Sequence, residues 1–206
     1  MRRLAVLGAS GHGKVVAETA LQCGWESIVF FDDAWPEVQI NGSWAIVGNT
    51  QALIQQLSEF DGVLVGIGNN HVRLEKVRQL KTLNAPLATL VHPAAVVSNT
   101  VLLGAGSVVF AGAVIQIDSQ LGEACIVNTR ASVDHDCSLS DGVHICPGAT
   151  LAGGVTVAEA SWVGIGACIK QLVNIGSNAT IGGGAAVIRD VPCGQTVIGV
   201  PARSLY

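Results

Sequence analysis

The chain changes its hydrophobic pattern about two-fifths of the way along. In the first part, short apolar runs alternate with helix-length stretches. Arg3 to Leu7 reads as a strand, Gly8-Ala9-Ser10-Gly11-His12-Gly13 as a glycine-rich turn, and Lys14 to Cys23 as a helix with Val15, Val16, Thr19 and Ala20 on its inner face. Ser27 to Phe31 reads as a second strand ending at Asp32-Asp33, Gly62 to Ile67 as another ending in Gly68-Asn69-Asn70, and Val72 to Leu83 as a helix. This β-α-β order predicts a Rossmann-like α/β half domain over residues 1–84. The glycine turn and the acidic pair then fall at the carboxyl ends of neighbouring strands, where open α/β sheets bind ligands. The turn spacing is GxxGxG and not GxGxxG, so the turn alone fits either phosphate binding or a tight bend. Asp32 and Asp33 alone fit either a ligand contact or a solvated loop.

From Val91 the pattern is periodic. Seventeen positions taken every six residues, through Val97 and Leu103 to Ile181 and Val187, are all Leu, Ile or Val. The position four residues after each, from Ala95 to Val191, is Ala, Ser, Cys or Val. Large branched and small side chains alternating at six-residue intervals suit a parallel β-helix, with flat faces that carry one large inward residue and corners that hold only a small one. The segment thus resembles the left-handed β-helix of the hexapeptide-repeat acyltransferases, in which three hexads make one coil. Residues 85–206 are accordingly expected to form that β-helix and a C-terminal tail.

Composition matters here mainly for what it excludes. Of the 26 charged residues, 15 lie in residues 1–81 and none in 82–117. With a mean hydropathy of +0.50 the uncharged run invites a membrane reading. The hexad spacing argues against it, because the apolar residues are placed for a narrow prism and not for a lipid-facing helix. Eleven Lys and Arg dispersed in a chain of net charge −4 supply no basic stripe for nucleic acid. The apolar N-terminal run stops at Gly8, too short for a signal peptide. A cytoplasmic protein with reduced cysteines is expected. The six cysteines form no CxxC pair, and Cys125 and Cys137 fall at small inward positions.

The motifs GASGHGK at 8–14, FFDD at 30–33, GIGNN at 66–70, VHP at 91–93, NTRASVDHDC at 128–137 and GVPAR at 199–203 resemble, in this order, the sialic acid O-acetyltransferase family. Within it they are most similar to the N-acetyltransferases that act on UDP-linked 4-amino-4,6-dideoxy sugars in bacillosamine biosynthesis. The resemblance implies an N-terminal domain that holds the UDP-amino sugar, a β-helix that holds acetyl-CoA, and a homotrimer with active sites between neighbouring helices.

Acyl transfer from a thioester to an amine needs a base near neutrality, and an imidazole suits it. His135 stands between two carboxylates in Asp134-His135-Asp136, although simple alternation aims it to the same side as the inward Val133 unless it falls at a corner. The resemblance makes His135 the base and Asp136 its partner, where relatives can carry Glu; the shorter Asp is expected to reach the ring less directly. It also implies Asn128 and His144 near the acetyl group or the sugar amine, and Gly153 as a backbone donor to the thioester carbonyl. For the sugar nucleotide it points to Gly11, His12, Gly13, Asp32, Asp33, Asn69 and Asn70. For coenzyme A it points to His144, Gly153, Gly164, Gly182 and Gly183, with Arg189 and Pro201 at the nucleotide end. His71 and His92 match no role. No metal is expected: the gamma-type carbonic anhydrases share this repeat but use three histidines, and the repeat here holds only His135 and His144. An O-acetyltransferase with a sugar or sialic acid hydroxyl as acceptor, and a non-catalytic β-helix scaffold, are the alternatives.

Overall fold

The computed structural model describes residues 2–205. Strand β1 (Arg3–Leu7) is an inner strand of a five-stranded sheet of order β3-β4-β2-β1-β5. It pairs in parallel with β2 (Ser27–Phe31) and β5 (Gly62–Val65). The outer strands β3 (Ile40–Asn41) and β4 (Trp44–Gly48) form an antiparallel pair. That pair and the short helix α2 (Thr50–Gln55) were not anticipated from the sequence. Both are brief, and the exposed Ile40 and Val47 blur their alternation.

Helix α1 spans Gly11–Gln22, three residues earlier than the predicted start, so Gly11, His12 and Gly13 are its first turn and not a loop before it. The inner face also needs correction. Val15 is exposed, whereas Gly13, Val16, Ala17, Thr19 and Ala20 are buried. Gly13 makes this possible, because a Cβ there would collide with the Gly8 carbonyl and lie 3.0 Å from the Phe30 ring. Helix α3 spans Asn70–Thr82, two residues ahead of its predicted start, and is capped by the Asn69 side chain, which accepts from the Val72 N–H.

From Leu90 two-residue strands recur every six residues and stack in register on the strand eighteen residues later, as in Val114↔Ser132 and Ser132↔Thr150. They build the three faces of a left-handed parallel β-helix. Its first face runs through Leu90–Val91, Val108–Val109, Ile126–Val127, His144–Ile145, Trp162–Val163 and Thr180–Ile181. The second includes Ser132–Val133 and Thr150–Leu151, and the third Ser138–Leu139 and Thr156–Val157. The core is the hexad pattern itself, with Ile145, Val157, Val163 and Ile181 fully buried along the axis and Ala131, Val143, Ala149 and Ala185 at the corners. Leu90, Val108, Phe110 and Ile126, which point outward from the first face, pack with Leu4, Val16 and Phe30 of the N-terminal domain. That domain therefore sits on the first face, and its position decides which coil side chains are covered.

Candidate active site

His135 stands in the turn that joins the second face to the third, so its side chain leaves the helix at a corner, 55% exposed, and does not turn inward. Its Nδ1 lies 2.7 Å from Asp136 Oδ2. The shorter carboxylate thus reaches the ring directly, contrary to expectation. Asp136 does so because its backbone adopts the left-handed conformation, φ +58°, which swings the side chain back over its neighbour. The Asp136 hydrogen bond first, then the charge of Asp134, raise the His135 pKa above the ordinary imidazole value. An Nδ1–H donated to Asp136 leaves Nε2 as the basic nitrogen, and among the described residues Nε2 meets no partner. Beneath the ring lies Gly153, where a Cβ would come 2.5 Å from both Cε1 and Nε2. The Gly153 N–H donates to no acceptor among the described residues, whereas its carbonyl accepts from Leu172 N at 3.0 Å. His135, Asp136, Gly153, Gly154, Gln171 and Leu172 line a hollow of about 270 Å3.

Asn128 and His144 lie elsewhere, on and just beyond the first face. Asn128 Oδ1 accepts from the Thr129 N–H at 2.8 Å, which turns its amide nitrogen to His144 Nε2 at 3.0 Å. Because that nitrogen only donates, His144 Nε2 accepts and the ring proton sits on Nδ1. His144 is wedged between Trp162, with ring centroids 4.3 Å apart, and His12 at 6.3 Å. Burial, then the charges of Arg73 and His12, push its pKa down to about 3. Burial and Arg73 likewise push His12, edge-on to Phe110, down to about 4. Both are neutral at physiological pH. One hexad, with the strand Ser132–Val133 within it, separates Asn128 from Asp134 and sets them at different corners of the prism, at most about 20 Å apart at about 3.3 Å per residue. One chain therefore does not bring His135 together with Asn128 and His144.

At the carboxyl ends of β1, β2 and β5 a pocket of about 290 Å3 is lined by Gly8, Ala9, Ser10, Asp32, Asp33, Ile67, Val72 and Lys76. The acidic pair lies in the loop after β2, with Asp33 exposed, and both carboxylates are held by backbone hydrogen bonds. Asp32 accepts from the Ala9 and Ala34 N–H groups at 2.6 and 2.9 Å. Burial works against ionisation of Asp33, but the Thr50 N–H and Lys76 together hold its carboxyl below the usual range. Gly11 has open space around the position of a Cβ, whereas Gly13 is packed. Asn69 and Asn70 line a separate hollow with His71 and Trp162. The Asn70 amide turns inward to Ala160 O and Ser161 O, both at 3.0 Å.

Of the glycines assigned to coenzyme A, Gly164 is closed over by the next coil, a Cβ there meeting Ile181 O at 2.5 Å and Gly183 N at 2.8 Å. Gly182 and Gly183 sit against Ile198 and Ile165. These positions must stay small for the coils to stack, whatever they bind. Arg189 lines a hollow with Arg203 at the last coil, and Pro201 is exposed beside it. Sequence reasoning missed Arg73, a guanidinium only 1% exposed between the two parts of the molecule. Its only sequence signal was an arginine three residues after Asn70, on the buried face of α3.

Residues 3–80 match the PglD N-terminal domain family. The chain is 44% identical to the acetyltransferase domain of PglB from Neisseria gonorrhoeae FA1090, solved with acetyl coenzyme A, over 99% of both chains with a TM-score of 0.95. It is 36% identical to PerB from Caulobacter crescentus, solved with CoA and GDP-perosamine, over 100% of this chain and 98% of that one, with a TM-score of 0.95. It is also 37% identical over 114 residues to the UDP-N-acetylbacillosamine N-acetyltransferase of Bacillus subtilis strain 168, which covers 54% of this chain and 52% of that protein.

Proposed function

The chain belongs to the hexapeptide-repeat acetyltransferases, and from that membership we propose that it moves the acetyl group of acetyl-CoA to the 4-amino group of a UDP-linked 4-amino-4,6-dideoxy sugar. The observation that carries the reading is the His135–Asp136 pair, with Nε2 free and the backbone N–H of Gly153 below it unclaimed among the described residues. The amine attacks the thioester carbonyl directly. His135 Nε2 takes the proton that the nitrogen sheds, Asp136 holds the ring and stabilises the imidazolium, and the Gly153 N–H donates to the oxyanion, an interaction typically worth a few kcal/mol. Collapse of the tetrahedral intermediate breaks the C–S bond, and the proton held by His135 passes to the departing CoA sulfur.

The sugar nucleotide occupies the pocket beside Asp32 and Asp33, with the open Gly11 at the α1 N-terminus facing its phosphates. The uridine nucleotide rests on the B. subtilis relative, and PerB makes a GDP sugar the competing choice. Because His135 and Asn128 stand on different edges of one prism, the site is completed between copies in a homotrimer. The exposed Leu172 and Ile165, 73% and 64% accessible, suit that contact. Thiol release from acetyl-CoA tests the reading against UDP- and GDP-linked 4-amino sugars and free sialic acid. Rapid release with the UDP-amino sugar supports it. Turnover only with sialic acid would move the enzyme to hydroxyl acceptors, and release with none of the three would refute a sugar acetyltransferase.

A further inference from the structure

Arg73 and Asn70, side by side at the start of α3, spend all their donors but one on backbone carbonyls, which come from both parts of the molecule. Arg73 Nε donates to Ala124 O at 2.8 Å, and Nη2 to Gly142 O and Asn70 Oδ1, both at 2.9 Å. Nη1 donates to Ile67 O and Gly68 O at 3.2 and 3.0 Å. The five N–H groups of a guanidinium are thereby used, and no carboxylate pairs with it among the described residues. Asn70 extends the row by donating to Ala160 O.

The acceptors form a pattern. Ala124, Gly142 and Ala160 are one coil apart, each with left-handed φ of +55°, +68° and +57°, and they are the corners from which three first-face strands depart. Two residues after each stands an outward Ile126, His144 or Trp162, and Asn128 lies just past the far end of the strand Ile126–Val127. On the opposite side Ile67 is a wall of the pocket beneath Asp32 and Asp33. One side chain thus touches both the wall of the nucleotide pocket and the coil edge from which the strands that carry His144 and lead to Asn128 depart.

We propose that Arg73, braced by Asn70, is a positioning residue for acetyl transfer, which fixes the spacing between the nucleotide pocket and that coil edge so that a sugar held by its nucleotide presents its amine in register. The inference rests on the transferase reading above. A fastener that only glued the domains together would be served as well by an apolar side chain, since a buried unpaired cation is costly. Only a rigid fork of donors can fix the direction as well as the closeness of carbonyls from two domains. Lysine has the charge but not the fork.

Arg73→Lys, Arg73→Met and Asn70→Ala in the full chain test this, with UDP affinity measured by calorimetry and kcat at saturation of both substrates. Expected is a fall in kcat of roughly 10- to 100-fold for both Arg73 variants, the cost of about 1 Å of misplacement, with UDP Kd within about threefold of wild type. Asn70→Ala should show a smaller fall in the same direction. A folded Arg73 variant with kcat within about twofold of wild type, or a loss confined to UDP binding, would overturn the proposal. If the Arg73 variants do not fold, Asn70→Ala decides by the same criterion, and failure of all three to fold would make the residues determinants of the fold and overturn it too. Absence of acetyl transfer by the wild type would instead fell the transferase reading on which the proposal stands.

Discussion

An imidazole on an open coil corner would titrate near its ordinary value, but beside Asp136 and Asp134 His135 is held above it. Below that raised pKa His135 is protonated and cannot accept a proton, so kcat/KM should fall on the acid side from a pH above the ordinary imidazole range. Asp136→Asn removes the larger cause, so the acid limb should move to lower pH while the plateau drops. A pH profile of the two proteins reads this, and an unmoved limb would disconnect the pair from the rate. His135→Ala should lower turnover roughly 10²- to 10⁴-fold. The His135–Asp136 pair was legible because its members adjoin in sequence, although its geometry was not: the left-handed turn at Asp136 brings the shorter carboxylate within reach. Asn128 and His144, sixteen residues apart, meet only because one coil lays the second strand under the first. Arg73 was almost illegible because all its partners but Asn70 Oδ1 are backbone carbonyls, which leave no mark on side-chain spacing.

The elements divide in the same way. The β-helix could be read almost strand by strand, since each hexad carries its own inward residue and its own corner. In the N-terminal domain β1 and β2 were readable at full length. The start of α1 was hidden because its first turn is built from glycines, which normally mark loops. That turn yields a contrast between neighbouring positions. Gly11→Val meets open space and should fold normally while raising the KM for the sugar nucleotide far more than that for acetyl-CoA. Gly13→Ala must push against the Gly8 carbonyl and the Phe30 ring, so it should destabilise by about 1–3 kcal/mol, seen as a lower denaturant midpoint. Equal KM effects on both substrates in Gly11→Val would mean that the turn serves packing alone.

At the scale of the molecule, the N-terminal domain covers the first face of the β-helix and leaves the His135 corner open, with Leu172 beside it. The hexad phase runs unbroken from Val91 to Val187, so the coils carry no long loop to wall a pocket there. Light scattering should give about three times the 21.1 kDa chain mass. Leu172→Asp, a charge on that exposed corner, should abolish assembly and activity together. A monomeric Leu172→Asp variant that kept full turnover would show that one copy suffices.

The shared site itself is tested most directly by complementation. His135→Ala and Asn128→Ala chains, each expected to be strongly impaired alone, are co-expressed and the mixed trimers assayed for acetyl transfer. If His135 of one copy works with Asn128 of its neighbour, every mixed trimer keeps one interface with both residues intact, and random mixing should restore about a quarter of wild-type activity. If each chain carried a whole site of its own, no mixture would contain an intact one, and activity that stays at the level of the separate variants would contradict the account.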